Sequence, residues 1–195
     1  MGARTIGLFL ALGFATGCGG GAVAPTQAPS FSAQVDSFDA EFSRARGQDF
    51  STSGSVSSAS GSYSGTTVVR VLDGGAPSTF LGDASLTVDI AGGTVSGSLR
   101  GFTRRLSGSN EEHLNGRLTV RGQSIGVSQD SEFISTVSGT LTGDSTDFRL
   151  GSGTLFGDLL QNPTSSLVGQ GTFTNSTLDG RNGLTSTVNV LADKD

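Results

Sequence analysis

A three-residue word, glycine, any residue, then a bulky apolar or aromatic residue, recurs along this chain. It is written as Gly61-Ser62-Tyr63, Gly97-Ser98-Leu99, Gly116-Arg117-Leu118, Gly139-Thr140-Leu141, Gly153-Thr154-Leu155 and Gly171-Thr172-Phe173. Residues two apart in a strand share a face, so each glycine lies beside a bulky side chain on the same side of a sheet. Glycine weakens a strand unless its missing side chain is useful, and repeated inward glycines suit sharp curvature and a narrow interior. The intervals between words are too uneven for a solenoid. The pattern predicts an all-β fold: a single antiparallel up-and-down β-barrel of roughly eight strands. Closure also removes the exposed edges that a Val- and Thr-rich sheet would offer to other chains.

From Gly61 onward the apolar period is two, and hairpins can be registered residue against residue. With a tight turn at Gly92-Gly93, Ile90 faces Val95, Val88 faces Gly97, Leu86 faces Leu99 and Ala84 faces Gly101. A second hairpin turning at Gly122-Gln123 matches Val120 with Ile125 and Leu118 with Val127, and sends Arg117, Thr119 and Arg121 outward. The inward set continues through Phe133, Val137 and Leu141, then Phe148 and Leu150, then Leu167 and Phe173, and finally Leu184, Val188 and Val190. The phase slips near Gly151, where Leu155 takes over from Leu150, which predicts a bulge. By parity Val68, Phe102 and Val168 point outward, as a binding patch or as the seat of another element. The remaining outward positions are mostly Ser, Thr, Asp, Asn and Arg, with no Trp and one Tyr in the chain. That is not the lipid-facing belt of a membrane-spanning barrel.

Ahead of the sheet the period is helical. Phe31, Val35, Phe38 and Phe42 fall on one face between Ser30 and Arg46, with Asp36, Asp39 and Glu41 on others and Arg44 and Arg46 near the C-terminal end. An amphipathic helix over 31–47 follows, read as a cap packed on the body in preference to a partner- or membrane-binding helix. Further back, Arg4 precedes an apolar run from Ile6 to Phe14, which is signal-peptide grammar. This run is far shorter than the roughly 20 residues of a spanning helix.

Ala15-Thr16-Gly17-Cys18 resembles the bacterial lipobox, in which a small residue precedes a cysteine that is acylated and becomes the mature N-terminus; Ala15 stands where Leu is usual. Cys18 is the one cysteine of the chain. Acylation would remove a lone thiol from an oxidising compartment and supply the more than one chain that stable anchoring needs. The expected organisation is a signal peptide over 1–17, a lipidated flexible tether over 18–30, the helix over 31–47 and the barrel over 48–195. Cleavage removes one of 12 basic side chains and leaves 11 against 17 acidic ones. That balance gives little attraction to anionic lipid or to nucleic acid, so attachment would rest on the acyl chains.

The lipobox-like Cys18, the helix, and Gly61-Ser62-Tyr63-Ser64-Gly65 entering the first strand resemble the transferrin-binding protein B-like surface lipoproteins. The run from Gly153 through Phe156, Gly157 and Pro163 to Leu167, Gly169, Gly171 and Phe173 is similar to that family's Phe-x-Gly hairpin and Gly-rich strand. The resemblance is one of order and texture over most of the mature chain. It implies a small single-barrel lipoprotein of the outer membrane, on the cell surface or the periplasmic face, anchored through Cys18, monomeric and without a cofactor. It also implies a noncatalytic, protein-binding role. The large relatives grip a host iron carrier with two lobes; one barrel lacks the second, so that activity is not carried over.

Candidate chemistry is sparse. His113, after Glu111 and Glu112, falls on the outward side of its strand and reads as solvated. Gly61-Ser62-Tyr63-Ser64-Gly65 would match a nucleophile elbow only if Tyr63 were Ser, so no enzyme is expected. Asp144, Asp147 and Asp158 follow no calcium-loop spacing and read as turn aspartates. Arg100, Arg104, Arg105, Arg117 and Arg121 fall on neighbouring strands of a meander and could form a basic stripe that binds a macromolecule, or could pair with nearby Asp and Glu. The other expectation is a small-ligand carrier using the barrel interior.

Overall fold

The computed structural model describes residues 29–47, 60–106, 108, 110–124, 133–160 and 166–195. The signal peptide, Cys18 and most of the tether lie outside these residues. One helix, α1 (Phe31–Arg46), precedes ten strands: β1 (Gly61–Leu72), β2 (Ser78–Asp89), β3 (Thr94–Arg105), β4 (Glu111–His113), β5 (Asn115–Ser124), β6 (Phe133–Thr142), β7 (Asp147–Arg149), β8 (Ser152–Leu160), β9 (Ser166–Leu178) and β10 (Arg181–Lys194). Eight of them form a closed antiparallel barrel in chain order, and β4 and β7 are short extras. β10 pairs with β1 from Lys194 opposite Tyr63 to Thr185 opposite Leu72, which seals the cylinder.

Each extra marks a break in the strand order, and the second accounts for the phase slip near Gly151. β4 and β5 both pair with β3, on either side of a break at Leu114. β7 and β8 both pair with β6 and β9, on either side of Leu150-Gly151. Four residue steps of β6, Thr136 to Thr140, span five, Arg149 to Thr154, so the expected bulge is present; there the Leu150 amide bonds back to the Gly139 carbonyl at 3.1 Å and the Gly151 amide to Ser176 Oγ at 3.0 Å.

The glycine words interlock across strands. Gly116 is opposite Leu141 and Leu118 opposite Gly139. Gly153 is opposite Phe173 and Leu155 opposite Gly171. Leu86 covers Gly97 while Leu99 lies opposite Ala84. At these rungs a bulky inward side chain lies over a residue with little or no side chain on the adjacent strand, a small-against-large fit suited to a narrow barrel. The interior is one apolar cluster in which Tyr63, Phe80, Phe102, Phe133, Phe148 and Phe173 are all under 2% exposed.

Three sequence expectations need correction. The β2–β3 register is two residues from the expected one, with Val88 opposite Val95, because the connection takes in Ile90 and Ala91 as well as the two glycines. A shift of two keeps every side chain on its face, so the alternation could not reveal it. There is no turn at Gly122-Gln123: β5 runs through to Ser124 and pairs with β6, placing Val120 opposite Val137 and Leu118 opposite Gly139. The expected partners Ile125 and Val127 lie outside the described residues. Phe102 points inward, because Gly101 at φ +65 and a register shift between Leu81 and Asp83 invert the parity of β3.

α1 forms where the helical period placed it. Ser30 accepts a hydrogen bond from the Ala33 amide at 3.3 Å as N-cap, and Gly47 ends the helix. It packs on the outside of the barrel wall, where Phe38, Phe42 and Ala45 cover Val68, Leu160 and Val168, with Leu81 and Leu191 at the margin. Val68 and Val168 therefore do point outward, as the helix seat. Phe38 and Phe42 stack at 5.5 Å, and Arg70 donates to both carboxylate oxygens of Asp39 at 2.6 and 2.7 Å.

At the sealing seam, a Cβ on Gly65 would stand 2.1 Å from the Leu191 carbonyl oxygen and 2.5 Å from the Ala192 Cα. Backbone cannot yield there without parting β1 from β10. Gly65→Ala is expected to lower unfolding stability by about 2–3 kcal/mol in urea titrations, whereas Gly75→Ala, in the β1–β2 turn, changes it by less than about 0.5 kcal/mol.

Candidate functional site: an arginine-bearing outer wall

The meander brings the expected arginines to neighbouring strands and then divides them. Arg104 leaves the stripe. Its side chain is only 11% exposed, donates to Asp179 at 2.8 Å and Thr146 Oγ1 at 2.9 Å, reaches Ser78 at 3.3 Å and stands 5.6 Å over the Phe80 ring. It belongs to a polar clasp at one end of the barrel. In that clasp Glu112 accepts from the Ser145 amide at 2.6 Å, the Ser145 hydroxyl at 3.1 Å and the Thr146 hydroxyl. Burial pushes the Glu112 carboxyl up, but the hydrogen bonds from Ser145 and Thr146 outweigh it and hold the group below its ordinary range. Asp179, at φ +50, accepts from the Asp147 amide at 3.0 Å and gives its own amide to the Asp147 carbonyl at 2.8 Å. Arg105 turns to its own loop, donating from Nε to the Gly108 carbonyl at 3.1 Å.

Arg100, Arg117 and Arg121 stay on the outer face and are exposed. Leu99 pairs with Leu118, which sets Arg100 beside Arg117 on adjacent strands. Arg121 lies between Ser96 of β3 and Thr136 of β6. The structure adds Arg149, which the sequence reading missed. Thr140 of β6 is flanked by Arg117 on one side and Arg149 on the other, and Arg149 is next to Thr177 of β9. The missed signal was the short run Asp147-Phe148-Arg149, whose parity puts Phe148 inside and Arg149 outside. Its place beside β6 depended on the break at Gly151.

Among the described residues no carboxylate lies within ion-pair distance of Arg100, Arg117, Arg121 or Arg149; the ion pairs found there join Arg70 with Asp39, Arg104 with Asp179 and Arg181 with Asp73. Asp83 is the acid opposite Arg100 on β2. Beside this face a groove of about 590 Å³ opens at the strand break, lined by Arg149, Ser138, Thr140, Ser152, Asn175 and Thr177. Arg117, Arg121 and Arg149 have serine, threonine or another arginine beside them, and guanidinium groups without counter-charges repel one another.

His113 is exposed and shares a 3.0 Å hydrogen bond with Thr103, as expected of a solvated ring. Asp147 opens β7 and Asp158 lies within β8, so neither is a turn residue and the three aspartates do not form one loop set. Among the described residues no three His, Cys, Asp or Glu side chains gather as a metal-binding group. The grooves beside Arg149 and beside Arg46 both lie on the outer wall, while the interior is filled by the aromatic cluster.

Comparison with protein-family models, with curated proteins and with solved structures finds no match to this chain.

The division of the arginines predicts a division in behaviour. Arg104→Ala is expected to destabilise the fold by about 1–3 kcal/mol, since it strips a partner from Asp179 and Thr146. Arg117→Ala and Arg121→Ala are expected to stay within about 0.5 kcal/mol of the parent in thermal or urea unfolding.

Proposed function

We propose that this protein is a noncatalytic bacterial lipoprotein of the outer membrane, anchored through Cys18, whose barrel binds an acidic protein partner through its outer wall. The observation that carries the binding half of this reading is the set of Arg100, Arg117, Arg121 and Arg149, exposed together among hydroxyl side chains with no ion-pair partner among the described residues. On a chain of net charge −5, such a patch is suited to an acidic surface. The anchoring half is supported by the lipobox-like Ala15-Thr16-Gly17-Cys18 and by the resemblance to transferrin-binding protein B-like lipoproteins. A wall-based site is preferred to a small-ligand carrier because six aromatic side chains fill the interior. An eight-strand barrel is just wide enough for its own side chains.

Two experiments test the reading separately. In the native host, Cys18→Ser is expected to abolish incorporation of labelled palmitate and to move the protein from the membrane to the soluble fraction; unchanged membrane attachment would refute the anchor. Protease shaving of intact cells then distinguishes the cell surface, where the protein is lost, from the periplasmic face, where it is protected. For binding, the immobilised chain is used to capture envelope and culture-medium proteins, eluted in steps of NaCl. The expected partner is acidic and elutes below about 0.5 M salt, where the screening length is only a few ångström. The quadruple Arg→Ser variant at 100, 117, 121 and 149 is expected to lose it. Retention by that variant would count against the arginine wall.

A further inference from the structure

Besides the arginines, the outer wall carries a second feature that its packing does not explain. Among the described residues, the exposed large apolar side chains are Leu72, Ile134 and Phe156. Two of them are direct neighbours: Ile134 of β6 is registered opposite Phe156 of β8, at 45% and 51% exposure. A phenyl ring half in water in the middle of a paired strand gains little from burial and contributes nothing to the core.

Phe156 borders a groove of about 660 Å³ between the end of α1 and the outward faces of β8 and β9. Opposite it in register is Gln170, and Thr154 opposite Thr172 lies one rung on. Arg46 of the helix forms one side and donates to the Gln170 side chain, and Asp158 continues the row beyond Phe156. The lining therefore combines one aromatic face with hydroxyls, a carboxamide and one charge of each sign.

That combination narrows the ligand. One guanidinium against one carboxylate gives no net charge to hold an anion, which separates this groove from the arginine wall. A lipid chain would meet hydroxyls along most of its length. A peptide strand has no free edge to add to, because β8 is already paired to β6 and to β9. A pyranose ring has a matching division, with an apolar C–H face for an aromatic ring, whose face is electronegative, and a rim of hydroxyls that both donate and accept. Threonine hydroxyls and a glutamine amide supply both roles, and the volume lies in the range of small-ligand sites. We propose that the groove bounded by Arg46, Thr154, Phe156, Gln170 and Thr172 binds a neutral saccharide, with Phe156 as the stacking platform. This site is independent of the arginine wall.

The test titrates the full chain with neutral trisaccharides of glucose, galactose, mannose and N-acetylglucosamine, followed by calorimetry and by saturation-transfer NMR. At least one is expected to bind with a Kd of about 1 mM or tighter. Phe156→Ala should weaken it about 10-fold, the scale of one aromatic contact. Phe156→Tyr, which keeps the ring, should retain affinity, and Thr172→Val should weaken it by a second route. Arg117→Ser with Arg121→Ser should leave it unchanged, so the acidic-partner reading stands or falls apart from this one. Absence of binding by every trisaccharide at about 10 mM, or equal affinity of a folded Phe156→Ala variant, would overturn the proposal. So would sedimentation showing that Phe156 instead mediates self-association of the chain.

Discussion

The fold depends on how closely adjacent strands can approach on the inside of a narrow cylinder. Two facing rows of Leu and Phe would not fit an eight-strand bore without forcing the strands apart. The chain eases this limit by placing glycine or alanine under a bulky residue at several rungs: Gly139 under Leu118, Gly171 under Leu155, Gly153 under Phe173, Gly97 under Leu86 and Ala84 under Leu99. The arrangement is reciprocal, since a word of form Gly-x-Leu laid antiparallel on another word of the same form brings each glycine beneath the other's large residue. Six aromatic side chains can then close the centre. The same closeness makes several of these glycines irreplaceable, because a Cβ would meet neighbouring backbone and not a side chain that could move aside.

With the interior filled and the strand edges paired, the outer wall is where the described strands expose their side chains. That wall is differentiated. One sector is covered by α1, whose Phe38 and Phe42 occupy Val68, Leu160 and Val168. Another carries arginines with hydroxyl neighbours, and β8, beyond the break at Gly151, presents Phe156 beside Ile134 of β6. At one end, the Arg104, Asp179, Thr146 and Glu112 clasp ties the loops together, and there a charge serves structure. The contrast between Arg104 and Arg117 shows why charge in a sequence does not assign its own role. Both are arginines on adjacent parts of a meander, and the position of an acid across the barrel decides between them.

The alternation itself was legible in the sequence, and with it the all-β character, the inward set and the helix from Phe31 to Arg46. Register was less so. A shift of two residues in the β2–β3 hairpin leaves the face of every side chain unchanged, so the pattern could not detect it. Phe102 was misplaced because one glycine in a left-handed conformation inverts parity, and parity arguments assume an unbroken strand. The second hairpin failed for a different reason: Gly122-Gln123 has turn composition, but the gain from pairing β5 with the far strand through Gly139 and Val137 outweighed a local turn preference. Of the candidate site, Arg100, Arg117 and Arg121 could be placed on one wall from periodicity alone, whereas Arg149 and Phe156 needed the path of β7 and β8 around the break at Gly151.

What the sequence determined by itself is therefore periodic and local: which side chains face in, where the chain turns helical, which short words can nest against one another, and the lipobox-like stretch at Cys18. Tertiary structure decided which strand lies beside which, and hence that Arg104 meets Asp179 while Arg117 and Arg149 meet across Thr140, and that Phe156 stands beside Ile134 at the mouth of a groove. The reason is that hydrophobic burial is nearly indifferent to even shifts of register and to the identity of the partner strand. Ion pairs and surface clusters depend on both.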